Sequence, residues 1–193
     1  METLSLLSIL NSYGDIVELD YKFDSDTAIS ELKNLKTWHP SIHNKKALNL
    51  TGPIDDIGLL SPDKHEENQK HNQNLLSCPT LHEFFKKWEN LARCRAVIMN
   101  SGSFFKLHRD AYGFNPQFRI FIPLNATETN QWCFVYNDEL VKFKPGVPYL
   151  LNTRKPHGSF SMVNGVFHVL MSLYITESNV KRVSKLLPNT SDL

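Results

Sequence analysis

Short apolar runs separated by turn-forming residues dominate the chain from residue 93 onward. The runs are rich in β-branched and aromatic residues and read, in order, RCRAVIM, SFFKLH, FRIFIPL, QWCFVY, ELVKF, PYLLN and VFHVLMSLYI. Turn formers stand between them, namely Ser101-Gly102, Asn137-Asp138, Pro145-Gly146 and Asn164-Gly165. Such runs favour strands, and such pairs favour chain reversals. Several short strands at close spacing predict a sandwich, barrel or jelly roll.

The first 92 residues lack this repetition, and we expect them to be mostly helical or irregular. The segment SDTAISELKNL predicts a helix whose N-cap is Ser25 or Asp26, because its apolar residues recur at helical spacing. The segment TLHEFFKKWENLA predicts an amphipathic helix that opens with a capping box between Thr80 and Glu83.

A polar stretch interrupts this N-terminal region. Residues 52–79 include SPDKHEENQKHNQN, which has almost no apolar side chains to bury, so we predict a mobile loop that could serve as a lid. The segment TESNVKRVSKLL predicts a helix near the end of the chain. We therefore expect one domain over residues 1–193, with an N-terminal layer (1–92), a strand-rich core (93–176) and a C-terminal helix and tail (177–193).

Composition narrows the class of protein. The 193 residues suit one domain, and 21 basic against 20 acidic side chains give a net charge of +1, so we expect neither nucleic acid nor membrane as a partner. The opening METLSLLSILN carries Glu2 and no basic residue, unlike a signal peptide. Three widely spaced cysteines, Cys78, Cys94 and Cys133, favour reduced thiols in a cytoplasmic protein. The sequence leaves the oligomeric state undetermined.

The stretch FFKLHRDAYGFN, residues 104–115, fits two different chemistries. It matches the H-R-D-x-x-x-x-N pattern of a protein-kinase catalytic loop, and it also contains a His-x-Asp pair of the kind that binds catalytic iron. A kinase needs an Asp-Phe-Gly motif downstream and a Gly-x-Gly-x-x-Gly loop upstream, and the chain has neither. The kinase interpretation therefore fails.

The iron interpretation needs one more imidazole. Residues i and i+2 of a strand point to the same side, so His108 and Asp110 can face one metal ion together. Downstream, the histidines are His157 and His168, and His157 lies far enough away for several strands to intervene. Two neutral imidazoles and one carboxylate suit Fe(II) and leave three positions open. The alternative is that these are ordinary polar residues at strand ends.

Three segments together resemble a known enzyme family. They are RCRAVIMNSGSFFKLHRD, FRIFIPLN and FKPGVPYLLNTRKPHGSFSMVNGVFHVLMSLYI. Over about residues 80–176 the chain resembles the iron- and 2-oxoglutarate-dependent dioxygenases, most closely the aspartyl/asparaginyl β-hydroxylase-like group that includes the bacterial cis-proline hydroxylases. The resemblance implies a mainly β fold with N-terminal helices, a double-stranded β-helix of the jelly-roll, cupin-like kind. It also implies that His108, Asp110 and His157 are the iron ligands.

The chain departs from this family where the cosubstrate binds. The family usually carries an arginine about ten residues after the second histidine, which pairs with the 5-carboxylate of 2-oxoglutarate, and this chain has His168 there. We consider two replacements. A protonated His168 could bind the carboxylate with help from Ser172, or Arg119 on the run FRIFIPL could supply the charge.

The resemblance implies a hydroxylase. Its substrate would be a free amino acid or an amino-acid side chain in a peptide or protein, and Fe(II) and 2-oxoglutarate would yield succinate and CO2 as co-products. Two alternatives stay open at this point. One is a cupin-type metal dioxygenase or isomerase that does not use 2-oxoglutarate, and the other is a non-enzymatic metal-binding sensor whose contact surface is the 52–79 segment.

Overall fold

Two antiparallel β-sheets pack face to face in the computed structural model, which describes residues 2–54, 70–110, 117–125 and 128–188. In these ranges the strands are β1 (Ile16–Glu18), β2 (His39–Ser41), β3 (Lys45–Asn49), β4 (Arg95–Met99), β5 (Phe104–His108), β6 (Gln117–Pro123), β7 (Trp132–Tyr136), β8 (Glu139–Val141), β9 (Tyr149–Leu151), β10 (His157–Ser161) and β11 (Val166–Tyr174). The helices are α1 (Glu2–Tyr13), α2 (Ser25–Asn34), α3 (Gln73–Leu76), α4 (Pro79–Phe85) and α5 (Glu177–Lys185).

The strand order identifies the architecture. The larger sheet runs β1-β9-β6-β11-β4-β3-β2, and the smaller sheet runs β5-β10-β7-β8. From β4 to β11 the chain passes repeatedly from one sheet to the other, which is the winding of a double-stranded β-helix. The predicted fold class, a mainly β jelly roll with N-terminal helices, is confirmed.

Strand β11 shows why the larger sheet lies in the middle of the molecule. Its apolar side chains alternate between two cores. Phe167 and Met171 pack in the cluster that contains the helix residues Leu32 and Phe84. The opposite face of the sheet meets the aromatic side chains of the smaller sheet. Because both faces are covered, the strand reads as a continuous apolar run, and each large buried side chain contributes roughly 1.5–3 kcal/mol.

Three strands lie within the N-terminal region that was predicted to be mostly helical or irregular, and that prediction is wrong for them. Strands β1, β2 and β3 all extend the larger sheet, with β3 pairing to β4 from Lys45↔Met99 to Asn49↔Arg95. The β3 sequence KKALN contains residues that are depleted in strands. Its conformation is set by pairing with a strand that is distant in the sequence, which local pattern does not reveal.

Two helix starts differ from the predicted ones. Helix α2 is capped by Asp24, whose carboxylate accepts a 3.0 Å hydrogen bond from the Thr27 amide, and not by Ser25 or Asp26. Helix α4 has no side-chain cap, because the Thr80 hydroxyl donates to Glu31 of α2 at 3.0 Å. A tertiary contact therefore replaces the predicted capping box.

Helix α4 is also shorter than predicted. It ends at Phe85, although Trp88 and Leu91 beyond it are buried in the same core. The predicted apolar face is present, but its last two residues, Trp88 and Leu91, follow the end of the helix and are not part of it.

The predicted loop over residues 52–79 is ordered at its C-terminal end. Residues 55–69 lie outside the described ranges, as does most of the segment expected to be poorly ordered. Asn72 caps α3, and the side-chain amides of Asn72 and Asn74 both donate to the Asn49 carbonyl. Their polarity, which suggested a solvated loop, instead satisfies the backbone at the end of β3.

The remaining predictions for the chain concern its end and its cysteines. Helix α5 begins at the Thr176 N-cap and confirms the predicted C-terminal helix. Cys78, Cys94 and Cys133 are free thiols. Among the described residues, no helix is long and apolar enough to cross a membrane.

Candidate metal centre

Two neighbouring strands of the smaller sheet bring three side chains together. His108 is the last residue of β5, His157 is the first residue of β10, and the two are cross-strand partners with ring centres 4.4 Å apart. Asp110 follows β5, where its amide donates a 2.9 Å hydrogen bond to the Thr153 carbonyl. One potential ligand atom of each of the three residues lies within 4.8 Å of the others. The structure thus brings together the residues singled out by sequence, and metal binding by them stays a prediction.

Backbone carbonyls orient both imidazoles. Nδ1 of His108 lies 2.8 Å from the Lys106 carbonyl, and Nδ1 of His157 lies 3.0 Å from the Lys155 carbonyl. A ring that donates its Nδ1–H to a carbonyl leaves Nε2 as a lone-pair donor. In both histidines a backbone carbonyl is therefore placed to favour the tautomer that suits a metal ligand.

The charge states of the three candidate ligands also suit metal binding. Burial opposes ionisation of Asp110, but its hydrogen bond with His108 and the charge of Arg119 outweigh burial and hold the pKa of the carboxyl well below its usual range. Burial lowers the pKa of His157, whereas the hydrogen bond to Asp110 raises the pKa of His108. Near neutral pH the site therefore offers one carboxylate anion and a neutral His157.

Gly158 allows the two strands to approach closely beside the site. A Cβ atom at this position would lie 2.9 Å from the Phe105 carbonyl oxygen and 3.1 Å from the Leu107 amide nitrogen. The pairing of β5 and β10 shifts register here, between His157 and Ser159. A glycine at this irregularity lets His157 sit directly opposite His108.

A cavity of about 520 Å³ lies between the sheets and includes the three candidate ligands in its wall. We call the part formed by His108, Asp110, His157 and Arg119 the metal end. The part formed by Lys45, Trp132 and His168 is called the anion end. The other lining residues are Ser41, Ile42, His43, Arg93, Arg95, Phe104, Phe105, Lys106, Phe121, Phe134, Leu151, Thr153, Gly158, Ser159 and Leu170.

Two of the residues predicted to bind 2-oxoglutarate, Arg119 and Ser172, lie on adjacent strands of the larger sheet. Nε of Arg119 is 3.1 Å from Oδ2 of Asp110, so the guanidinium pairs with a candidate metal ligand. Ser172 is the cross-strand partner of Arg119, but it is buried and is not part of the described cavity wall. The structure therefore gives Arg119 a role at the carboxylate of Asp110.

His168, the third predicted cosubstrate residue, lines the cavity among aromatic rings. Its ring centre lies 5.3 Å from that of Phe121 and 6.1 Å from that of Trp132. Burial, and next the charge of Lys45, lowers the pKa of His168 to about 3. Burial thus favours the neutral imidazole in the protein without a ligand, and binding of 2-oxoglutarate by His168 stays a prediction.

Lys45 is a buried, charged cavity residue that sequence reasoning missed. It lies in β3, a strand that was not predicted, next to the exposed Lys46. Two adjacent lysines usually indicate a solvated surface, and the chain offers no local signal that one of them is buried. The apolar Ala47 two residues later is the one hint of an inward face, since residues i and i+2 of a strand share a side.

Comparison with known proteins finds solved structures that have a similar fold. No protein-family model and no curated protein matches the sequence. Among solved structures, an oxidoreductase of the 2OG-Fe(II) oxygenase family from Burkholderia pseudomallei matches with a TM-score of 0.57 and 16% identity, over 91% of this chain and 90% of that chain. A Pseudomonas putida prolyl-4-hydroxylase matches with a TM-score of 0.52 and 9% identity, over 91% and 100% of the two chains.

A third structure extends this set. The viral collagen prolyl hydroxylase from Paramecium Bursaria Chlorella virus-1, solved as a 2OG complex, matches with a TM-score of 0.50 and 10% identity, over 83% of this chain and 97% of that chain. At such identities the likeness establishes the fold, which this chain shares with 2OG-Fe(II) oxygenases and prolyl hydroxylases. Membership of the aspartyl/asparaginyl β-hydroxylase-like group stays a prediction.

Proposed function

We propose that the protein is an Fe(II)- and 2-oxoglutarate-dependent oxygenase that hydroxylates an amino acid or an amino-acid side chain in a peptide. The observation that carries this proposal is the convergence of His108, Asp110 and His157 on one side of a cavity in a jelly roll. The shared fold with 2OG-Fe(II) oxygenases supports it.

The donor set fits ferrous iron. Two imidazole nitrogens and one carboxylate oxygen would be the protein's ligands to a divalent ion, and their single negative charge would leave the ion able to accept an anionic oxoacid. When bound, iron and 2-oxoglutarate supply the oxidising chemistry by which O2 converts a C–H bond to C–OH, with succinate and CO2 as co-products.

The protein's own residues would bind the metal ion, orient its ligands and line the cavity. His108, Asp110 and His157 would hold the ion, and Arg119 fixes the carboxylate of Asp110 through the 3.1 Å contact. Phe121 and Trp132 form an apolar wall that excludes water from the cavity. The cavity volume of about 520 Å³ lies within the range of sites that bind small molecules.

The substrate class is inferred from the neighbours and from the cavity. Two of the similar structures are named as prolyl hydroxylases, which supports an amino-acid side chain as the target. Arg93 and Arg95 lie in the cavity wall and are largely buried, so an acidic group of a substrate or of the cosubstrate would meet positive charge there.

Anaerobic titration of the Fe(II)-loaded protein with 2-oxoglutarate tests this function. We expect a visible metal-to-ligand charge-transfer band that saturates with the oxoacid and is absent from the Asp110→Ala variant. Oxygen consumption by the metal-loaded protein without any oxoacid would instead indicate a cupin-type dioxygenase. A protein that binds metal but shows neither signal would contradict both enzymatic functions.

A further inference from the structure

A buried ammonium group lies at the anion end of the cavity. Lys45 is 4% exposed. Its Nζ atom donates a hydrogen bond to the Phe104 carbonyl and lies 4.2 Å from the centre of the Phe105 ring. Within the described ranges, Lys45 forms no ion pair with a carboxylate. The carbonyl and the ring compensate only part of the hydration that a buried cation loses, so the group favours binding of an anion.

Two further polar groups beside Lys45 lack partners. Nδ1 of His168 and Nε1 of Trp132 are buried and have no hydrogen-bond partner among the described residues. Their rings are stacked with centres 6.1 Å apart, and both line the same cavity as Lys45. Buried polar atoms in proteins are nearly always hydrogen-bonded. A cation and two unmatched nitrogens in one pocket therefore indicate a ligand that carries acceptor oxygens.

The distance to the metal end suits a bifunctional ligand. Phe105, whose ring lies against Nζ of Lys45, is three residues from His108 in β5. Across the register shift these two residues pair with Ser159 and His157, which are two steps apart on β10, or about 7 Å along the strand. A five-carbon dicarboxylate that chelates a metal through one end can place its other carboxylate across such a distance. A monocarboxylic oxoacid of the same length would leave the ammonium without a counter-ion.

Resting on the proposed function, we infer that Lys45 binds the distal carboxylate of 2-oxoglutarate, with His168 and Trp132 hydrogen-bonding to it as neutral groups. The positive charge then comes from β3, a strand outside the β4–β11 winding. It comes neither from His168 on β11 nor from Arg119 on β6. This assignment explains why a neutral histidine is tolerated at position 168, and it leaves Arg119 to the carboxylate of Asp110.

The test compares two ligands and two lysines. Dissociation constants of 2-oxoglutarate and of 2-oxopentanoate, which has the same chain length but no distal carboxylate, are measured anaerobically on the Fe(II) protein by the charge-transfer band. The wild type should prefer 2-oxoglutarate, and Lys45→Met should weaken its binding by roughly 10- to 150-fold while leaving 2-oxopentanoate unchanged. Lys46→Met is the matched control, since Lys46 is the exposed neighbour in β3, and it should behave as wild type.

Folding is checked in the same variants. Lys45→Met loses the hydrogen bond to the Phe104 carbonyl but also removes the cost of burying an ammonium group. The melting temperature of unliganded Lys45→Met should therefore be close to that of the wild type. Its melting temperature should no longer rise with 2-oxoglutarate. Lys45→Gln, which keeps polarity but not charge, should show the same loss of discrimination.

The outcomes separate this inference from the proposed function. If the wild type binds neither oxoacid, the proposed function fails. If the wild type prefers 2-oxoglutarate and Lys45→Met keeps that preference, the function stands and the assignment of Lys45 is overturned. In that case Arg95→Met, which alters another buried cation of the cavity wall, should identify the residue responsible.

Discussion

The two ends of the cavity treat charge in opposite ways. At the metal end, the carboxylate of Asp110 lies 3.5 Å from Nε2 of His108 and 3.1 Å from Nε of Arg119, so opposite charge and hydrogen bonds are already in place. At the anion end, the ammonium of Lys45 contacts a carbonyl and aromatic rings. Burial lowers the pKa of His168 beside it to about 3, which favours the neutral imidazole. The protein itself supplies the partners of the charged groups at the metal end, whereas we propose that a ligand supplies them at the anion end.

The two ends are therefore expected to have different functions. The metal end would determine where the reaction takes place, and the anion end would determine which ligand binds. Under the proposed function, a preformed carboxylate and two oriented imidazoles would define one position for a metal ion, at little reorganisation cost when it binds. A buried cation without a carboxylate partner discriminates between ligands, because it leaves an unmatched charge whenever an uncharged molecule occupies the pocket. Loss of a residue should therefore affect metal binding at the first end and ligand choice at the second.

The largest effect is expected from removal of Asp110. Asp110→Ala takes away the one carboxylate among the candidate ligands, so affinity for Fe(II) or Mn(II) should fall by more than about 100-fold, beyond the 10- to 100-fold typical of outer residues. Isothermal titration with Mn(II) measures it. Arg109→Ala changes the exposed neighbour of the same loop and should bind metal normally. Equal metal affinity in the two variants would show that Asp110 does not bind the metal ion, which would contradict the proposed metal site.

A smaller loss is expected from Arg119. Arg119→Gln removes the guanidinium that pairs with Asp110 but keeps all three candidate ligands, so metal affinity should fall by about 10- to 100-fold. The ratio of affinities for 2-oxoglutarate and 2-oxopentanoate should stay unchanged. A collapse of that ratio would instead assign Arg119 to the distal carboxylate, and the two ends would no longer be distinct.

Substitution of Gly158 tests whether the close spacing of β5 and β10 is needed for metal binding at the metal end. In Gly158→Ala the new Cβ would meet the Phe105 carbonyl at 2.9 Å, so the strands must separate, at a cost of about 1–3 kcal/mol in unfolding free energy. Metal affinity should fall as well. Gly165→Ala is the control, because its φ of +75° strains alanine while its Cβ would have nothing within 4 Å. That variant should lose stability in urea denaturation but not metal affinity.

The smallest effect concerns the charge state of His168. Burial lowers its pKa to about 3 in the folded protein, whereas an unfolded histidine titrates near about 6.5. Between these values the unfolded chain binds a proton that the folded protein does not. The contribution of His168 to stability is therefore complete above pH of about 6.5 and is lost as pH falls toward 3.

His168→Leu should remove this dependence. The slope of unfolding free energy against pH in the metal-free protein should decrease by up to about 1.4 kcal/mol per pH unit between pH of about 4 and 6. Urea denaturation at several pH values measures the slope. An unchanged slope in His168→Leu would mean that His168 is protonated in the fold.

Much of the fold follows from local pattern. Alternating apolar runs and turn pairs specify the strands from β4 onward, because side-chain period and turn chemistry act over a few residues. The His-x-Asp spacing places two side chains on one side of β5 for the same reason. The position of His157 opposite His108 also agrees with the sequence interpretation, although their function as ligands is still a prediction.

Properties that depend on burial and on distant pairing were decided by the tertiary structure alone. Lys45 and Lys46 are identical in type and adjacent in sequence, yet pairing of β3 with β4 buries the first and exposes the second. The charge of His168 is likewise set by the aromatic rings that exclude water from it, and the partner of Arg119 by the packing of β6 near the end of β5. A residue's charge state and partner depend on the dielectric and on neighbours from other strands, and neither is encoded in the residues beside it.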